Sequence, residues 1–217
     1  MTEPNDLAAM RRRYDRPPLR RADLAPVWDQ QLRQWIADAE AAGIAEPNAM
    51  VLATASPDGR PRTRTVLLKD LNDERLTFYT NYSSAKGRDL ADNPWCSVTF
   101  PWIAMARQVT VVGRARRGSD DAADAYFASR PYGSQIGAVA SPQSEVLTSR
   151  TVLEEREAEA RAQYPEGSAV PRPWHWGGYD LAPVSVEFWQ GRADRLHDRL
   201  RYVRTADGAW IVERLAP

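Results

Sequence analysis

Short strand-like runs separated by turn residues are what most restricts how this chain can fold. Ala49–Ala55 is apolar, Ser56-Pro57-Asp58-Gly59 is a strong turn signal, and Arg60–Lys69 is a second run, so the pair predicts a hairpin. Arg75–Asn81, Trp95–Trp102 and Arg107–Arg117 continue the series, and Val184–Gln190, Arg195–Arg204 and Ala209–Leu215 close it. Helices interrupt the strands. In Pro26–Gly43, Trp28, Leu32, Trp35, Ala39 and Ala42 form one apolar face, with Pro26 suited to a first turn and Gly43 to a C-terminal cap. Ser83–Asn93 reads as a helix stopped by Pro94, Ser119 as the N-cap of a helix to about Ser129, and Thr148 to about Tyr164 as a long charged helix. Hairpin-ordered strands with inserted helices predict an α+β barrel, not a doubly wound sheet. No GxGxxG follows a strand and no GxxxxGK[ST] occurs, so neither a Rossmann site nor a P-loop is supported.

With 217 residues, 43% of them hydrophobic, the chain can bury one sizeable core, and residues 26–217 read as one domain. Residues 1–25 are polar, basic and rich in proline, and read as a flexible arm able to order on a ligand. Lys plus Arg and Asp plus Glu both number 29, so no global field draws the chain to nucleic acid or anionic lipid. Anion binding must come from local clusters. The Arg11–Arg13 run, without any nucleic-acid motif, is weak ground for such a partner. The lone cysteine, Cys96, excludes an intrachain disulfide, and His175 and His197 lack zinc-site spacing, so no metal is expected. No apolar run approaches the roughly 20 residues needed to span a bilayer. The N-terminus has no secretory pattern, and a cytoplasmic location is expected.

Four local clusters could carry chemistry. In Arg64-Thr65-Val66-Leu67-Leu68-Lys69, strand alternation puts Arg64, Val66 and Leu68 on one face and Thr65, Leu67 and Lys69 on the other. The arginine and lysine could serve two anions, or be solvated charges at strand ends. Tyr79-Thr80-Asn81-Tyr82-Ser83-Ser84-Ala85-Lys86 runs from strand through hydroxyl-rich turn to helix start, a phosphate-favouring arrangement or an ordinary serine-capped helix. Tyr126 and Arg130 lie four apart at a helix end, with Ser134 in the turn beyond, and could cradle a phosphate, or be a helix C-terminus with its usual basic residue. Finally, period two would align Arg195, His197 and Arg199 on one strand face, where an anion or polar ligand would relieve their repulsion, or where His197 is a structural histidine.

These clusters, in this order, resemble the pyridoxine/pyridoxamine 5'-phosphate oxidase family. The likeness runs from about Arg11 to Pro217 and is also carried by Phe100-Pro101-Trp102, Arg107-Gln108-Val109, Ser129-Arg130-Pro131, Ser134–Ala138, Gln143-Ser144, Trp176-Gly177-Gly178, Glu187–Gly191 and Arg214–Pro217. The resemblance implies a homodimeric split β-barrel with FMN at the dimer interface, and a C-terminal dimerisation and substrate segment from about residue 174. It implies an FMN phosphate site near Arg64, Lys86, Gln143 and Ser144. The flavin would be lined by Thr65, Val66, Leu67, Leu68, Lys69, Tyr79 and Thr80, and completed by Gln108, Trp189 and Arg199. Lys69, Tyr126, Arg130 and Ser134 would hold the substrate phosphate. Arg195, Leu196 and His197 would meet the pyridine ring, with Arg195 and His197 as the catalytic pair. The arm residues Arg11 and Tyr14 would fold over the substrate. The implied reaction is oxidation of pyridoxamine or pyridoxine 5'-phosphate by dioxygen to pyridoxal 5'-phosphate with release of hydrogen peroxide.

The chain departs from the family at Ala85-Lys86, where Arg-Lys is common, and at Ile103, where a polar residue is expected. Losing one charge-assisted hydrogen bond of roughly 1.5–3 kcal/mol weakens binding about ten- to a hundredfold unless another cation substitutes. Two alternatives stay open: a related split-barrel flavin reductase, against which Arg195–Arg199 and Arg130-Pro131 argue, and a non-catalytic flavin or pyridoxal-phosphate carrier.

Overall fold

A computed structural model describes Leu7, Met10 and residues 12–217; Arg11, an expected substrate contact, lies outside the described residues. The strands are β1 Ala49–Ala55, β2 Pro61–Leu67, β3 Asp70–Asn72, β4 Arg75–Asn81, β5 Trp95–Trp102, β6 Arg107–Arg117, β7 Trp176–Gln190, β8 Asp198–Arg204 and β9 Trp210–Arg214. The helices are α1 Trp28–Ala41, α2 Ala85–Asp92, α3 Asp120–Ala128, α4 Tyr132–Ala140 and α5 Arg150–Gln163. Antiparallel strands with inserted helices give the expected α+β class. Among the described residues no helix is long and apolar enough to cross a membrane. The chain forms two compact units, one of residues 48–99 and 111–184, the other of the described residues up to 47 with residues 100–110 and 185–217.

The larger unit holds the predicted hairpin, with Ala49 opposite Leu67 and Ala55 opposite Pro61. Its strands follow the order β2-β1-β5-β6-β7-β4-β3. Alternation along β1 turns Met50, Leu52 and Thr54 inward. Beyond Leu67 the chain leaves β1. The Leu68 N–H still donates to Asn48 O (2.9 Å), but the Lys69 N–H donates to Thr77 O (2.8 Å). This change of partner ends β2 two residues early. Helix α2 starts at Ser84, whose Oγ accepts from the Gly87 N–H, and α3 starts at Ser119, whose Oγ accepts from the Ala122 N–H. Helices α3, α4 and α5 close around Phe127, Ile136, Ala140 and Ala160, with Trp176 from β7.

Two elements of this unit differ from expectation. Tyr132–Ala140 is a helix, not a turn, because Pro131 fixes an extended N-cap (φ −53°, ψ 142°) and the small residues that follow pack flat against α5. Strand β7 begins at Trp176 rather than Val184: Gly177 and Gly178 pair with Thr80 and Tyr79 and continue the ladder. At Gly177 a Cβ would lie 2.1 Å from Tyr82 Oη, so a side chain here would have to displace the buried Tyr82 ring.

In the smaller unit, α1 buries Trp28, Leu32, Trp35 and Ala39. Its end is a Schellman motif: Ile44 N–H donates to Ala39 O, Gly43 N–H donates to Glu40 O, and Gly43 takes φ +72°. Trp35 meets Phe188 edge-on at 5.1 Å. β8 pairs with β7 and β9. The segment from Arg16 to Leu19 is tied to this unit: Arg192 Nη1 donates to Arg16 O, Gln190 Nε2 to Pro17 O (2.5 Å), and the Leu19 N–H to Asp198 Oδ2 (3.0 Å).

Candidate functional site

A cavity of about 420 Å³ in the larger unit collects most of the expected residues. Thr65, Val66 and Leu67 reach it from β2 and Lys69 from just beyond; Tyr79 and Thr80 come from β4 and Lys86 from α2. Tyr126, Arg130 and Ser134 enter from the α3–α4 elbow, with Gln143 and Trp176 beside them. Both faces of β2 contribute because the chain bends where it changes partners, so strict alternation fails there.

One wall is aromatic. Tyr79 stacks on Tyr126 with centroids 4.1 Å apart and on Trp176 at 5.4 Å. The Arg130 guanidinium lies 4.7 Å over the Trp176 ring. Its Nη1 is buried and finds no hydrogen-bond partner among the described residues. Desolvation lowers the Arg130 pKa, with Tyr126 opposing, but a guanidinium stays charged. A buried, unsatisfied donor costs about 1–3 kcal/mol, more when charged, and an anionic acceptor would recover that cost. Pro131 and Ser134, the N-cap and a first-turn residue of α4, line the same cavity, so the positive end of a helix adds to the field.

Lys86 supplies another cation. Its side chain is 8% exposed, and Nζ donates to Gln143 Oε1 (2.6 Å) and Ser84 Oγ (3.4 Å). Thr80 Oγ1 also donates to Gln143 Oε1, at 3.3 Å. Burial, helped by the Arg64 charge, pushes the Lys86 pKa down to about 8. Arg64 is set back from the cavity lining, donating to Thr54 Oγ1 (2.7 Å) and Leu52 O (3.3 Å). Leu68 is buried at 7% exposure, and Ser144 is exposed at φ +74°; neither lines the cavity.

The remaining expected residues belong to the smaller unit, where a cavity of about 660 Å³ is lined by Arg12, Arg13, Tyr14, Trp189, Arg195 and His197, among others. The His197 ring is 4.7 Å from Trp189, and Tyr14 is 5.9 Å from each. His197 Nδ1 accepts from the Arg192 N–H (3.1 Å), so the neutral ring carries its proton on Nε2. The expected strand face of Arg195, His197 and Arg199 does not form. Ala193–Arg195 is a 3₁₀ turn, and Asp194 and Arg195 take φ +55° and +62°. β8 starts only at Asp198, so no ladder imposes period two on the three side chains. Arg195 and Leu196 are exposed. Arg199 is held by both Glu187 oxygens (2.7 and 3.0 Å), an ion pair that raises its pKa. Gln108 Nε2 donates to Thr110 Oγ1 at 3.2 Å. Sequence reasoning missed Trp176 as the stacking wall, since nothing local marks a tryptophan 46 residues beyond Arg130 as its partner.

Comparison with known proteins adds the family context. A family model described as pyridoxamine 5'-phosphate oxidase matches residues 36–164, and one described as the pyridoxine 5'-phosphate oxidase C-terminal dimerisation region matches residues 176–217. A Streptomyces avermitilis protein named pyridoxine/pyridoxamine 5'-phosphate oxidase is 52% identical over 217 residues, covering 98% of this chain and 97% of the relative. One of the same name from Cupriavidus pinatubonensis is 49% identical, covering 97% and 99%. The crystal structure of PhzG from Burkholderia lata 383, in complex with tetrahydrophenazine-1-carboxylic acid, superposes with a TM-score of 0.81 at 35% identity, covering 87% and 91%. A pyridoxamine 5'-phosphate oxidase-related, FMN-binding protein from Nostoc punctiforme shares the fold, with a TM-score of 0.71 at 20% identity, covering 89% and 99%.

Proposed function

We propose, from the premise that this chain belongs to the pyridoxamine 5'-phosphate oxidase family and has its split β-barrel fold, that it oxidises pyridoxamine or pyridoxine 5'-phosphate to pyridoxal 5'-phosphate with FMN. Dioxygen is the oxidant and hydrogen peroxide the reduced product, and the working form is a cytoplasmic homodimer with FMN at its interface. One observation carries the substrate class: Arg130, whose buried Nη1 has no hydrogen-bond partner among the described residues, lines one cavity with Lys69, Tyr126 and Ser134.

FMN, when bound, supplies the two-electron redox chemistry; the chain's own residues bind, orient and polarise. The donors around Lys86 fit its phosphate: a buried ammonium, the serine-capped start of α2, and Arg64 behind. Gln143 and Thr80 would complete the contact, and Thr65, Val66, Leu67 and Tyr79 would line the flavin. Arg130, Lys69, Tyr126 and Ser134 hold the substrate phosphate, which fixes one end of a small rigid molecule. Arg195 orients the reacting carbon. His197, with its proton on Nε2, is a donor to the pyridine ring rather than a base.

The protein incubated with FMN, air and pyridoxamine 5'-phosphate should form the aldehyde and peroxide in equal amounts, while unphosphorylated pyridoxamine turns over poorly. A non-catalytic carrier would release no peroxide. The PhzG likeness favours a second reading, an oxidase of carboxylated ring systems, since a carboxylate could also meet Arg130. Turnover of a tetrahydrophenazine carboxylate but not of pyridoxamine 5'-phosphate would establish that reading and end the first.

Two further results are expected. Arg130→Leu should raise KM for the phosphorylated substrate about ten- to a hundredfold, the worth of one charge-assisted hydrogen bond, while FMN content holds. Unchanged KM would remove Arg130 from the clamp. FMN affinity should also fall as pH rises past about 8, because Lys86 is charged below its pKa and neutral above it. The limit is about tenfold per pH unit. Fluorescence titrations at constant ionic strength would show it, and Lys86→Met should flatten the profile.

A further inference from the structure

A buried carboxylate stands behind the cavity without touching it. Asp89, on α2 and three residues after Lys86, is 2% exposed. A carboxylate is not removed from water without strong partners. Asp89 has three. Arg62 Nη1 donates to Oδ1 (2.7 Å), Thr54 Oγ1 donates to Oδ2 (2.7 Å), and Arg64 Nη2 lies 3.9 Å from Oδ2. Thr54 Oγ1 in turn accepts from Arg64 Nη1 at 2.7 Å. The result is a relay, Arg64 to Thr54 to Asp89, braced from the other side by Arg62. It joins β1, β2 and α2 within one unit, and the threonine hydroxyl donates and accepts at once, so its orientation is fixed.

The local charge is unbalanced. Arg62, Arg64 and Lys86 bring three positive charges against the single negative charge of Asp89. Arg64 is close enough to Lys86 to lower its pKa. Two positive charges remain, matching a phosphate monoester, which carries about −1.5 to −2 at pH 7. Without a tether, Arg64 would move away from Lys86 toward solvent.

We propose that Asp89 is the positioning residue of the cofactor-phosphate pocket, holding Arg64 beside Lys86 through the Thr54 hydroxyl and so setting the affinity for the phosphate end of FMN. The proposal rests on the FMN reading above. Its mark is selectivity: loss of Asp89 should weaken FMN and leave riboflavin, the same ring without the phosphate, largely untouched. A fold-wide defect would weaken both.

The test is fluorescence titration of the apoprotein with FMN and with riboflavin, for wild type, Asp89→Asn, Arg64→Ala and the double variant. Thr54→Val, which keeps the side-chain shape and cuts the relay, is added in case Asp89→Asn folds poorly. Asp89→Asn and Thr54→Val should each raise the FMN Kd about tenfold and change the riboflavin Kd less than twofold. In the Arg64→Ala background, Asp89→Asn should change the FMN Kd less than twofold, since the group it positions is gone. Equal losses for both ligands, or the full tenfold effect without Arg64, would overturn the role of Asp89 while leaving the FMN reading intact. A wild-type protein that takes up no FMN would overturn both.

Discussion

Arg195→Leu is expected to give a folded, yellow protein whose turnover has dropped by a factor of about 10² to 10³, the usual cost of deleting one preorganised charged donor at a reacting centre. The structural ground is the backbone. Asp194 and Arg195 are consecutive non-glycine residues at φ +55° and +62°. Such a conformation costs roughly 1–2 kcal/mol per residue and persists only where the surroundings impose it. Here the Leu196 N–H returns to Ala193 O, and the Arg192 N–H donates to His197 Nδ1, closing the turn from both sides. The strained turn presents an exposed guanidinium on the cavity that holds Tyr14, Trp189 and His197. Among the described residues Arg195 makes no hydrogen bond or ion pair that holds the turn, so leucine should leave stability within about 0.5 kcal/mol. The measurement is kcat at saturating FMN and substrate, beside the flavin spectrum and Tm. Near wild-type turnover in Arg195→Leu would remove the assignment.

Gly87→Ala should be strongly destabilising. In α2 an alanine would by propensity gain about 1 kcal/mol. Yet its Cβ would lie 2.1 Å from Tyr82 O and 2.5 Å from Tyr82 C, both backbone atoms. Tyr82 has little freedom to retreat: its N–H donates to His175 O (2.6 Å), its hydroxyl donates to Gly178 O (3.1 Å), and Arg117 lies 4.1 Å over its ring. Overpacking against an immobile backbone costs about 3 kcal/mol. Net of the propensity gain, and at about 2–4 °C of Tm per kcal/mol for a chain of this size, the melting point should fall by about 4–8 °C. FMN affinity should fall too, because Lys86 is the adjacent residue. Gly137→Ala, inside α4 with nothing within 4 Å of its Cβ, is the control and should stabilise by up to about 1 kcal/mol. Equal effects from the two alanines would show that helix propensity decides and the Tyr82 contact does not.

The elements with strong local signals match their expected bounds. β1, β4, β5 and β6 have the residues their alternation and flanking turns imply, and the serine caps of α2 and α3 stand where Ser84 and Ser119 stand in the chain. The misses fall where a distant partner outweighs local preference. α4 was hidden because Tyr132-Gly133-Ser134 has turn chemistry, and α5 makes it a helix. The start of β7 was hidden because two glycines follow a proline-rich connector, yet β4 pairs with them. Arg195 and His197 do not share the strand face that period two predicts, since a turn held by Arg192 stands where a strand was expected.

The sequence alone determined the α+β class, the family likeness and which charged side chains to consider, because strand period, caps and turn residues act over a few neighbours. Only the tertiary structure decided that Trp176 walls the cavity, that the Arg130 Nη1 is buried with no hydrogen-bond partner among the described residues, and that Arg64 leans on Thr54 and Asp89. Those facts join residues from 10 positions apart, Thr54 and Arg64, to 97 apart, Tyr79 and Trp176. Desolvation and hydrogen bonding act through space, and chain order does not encode which distant groups will share it.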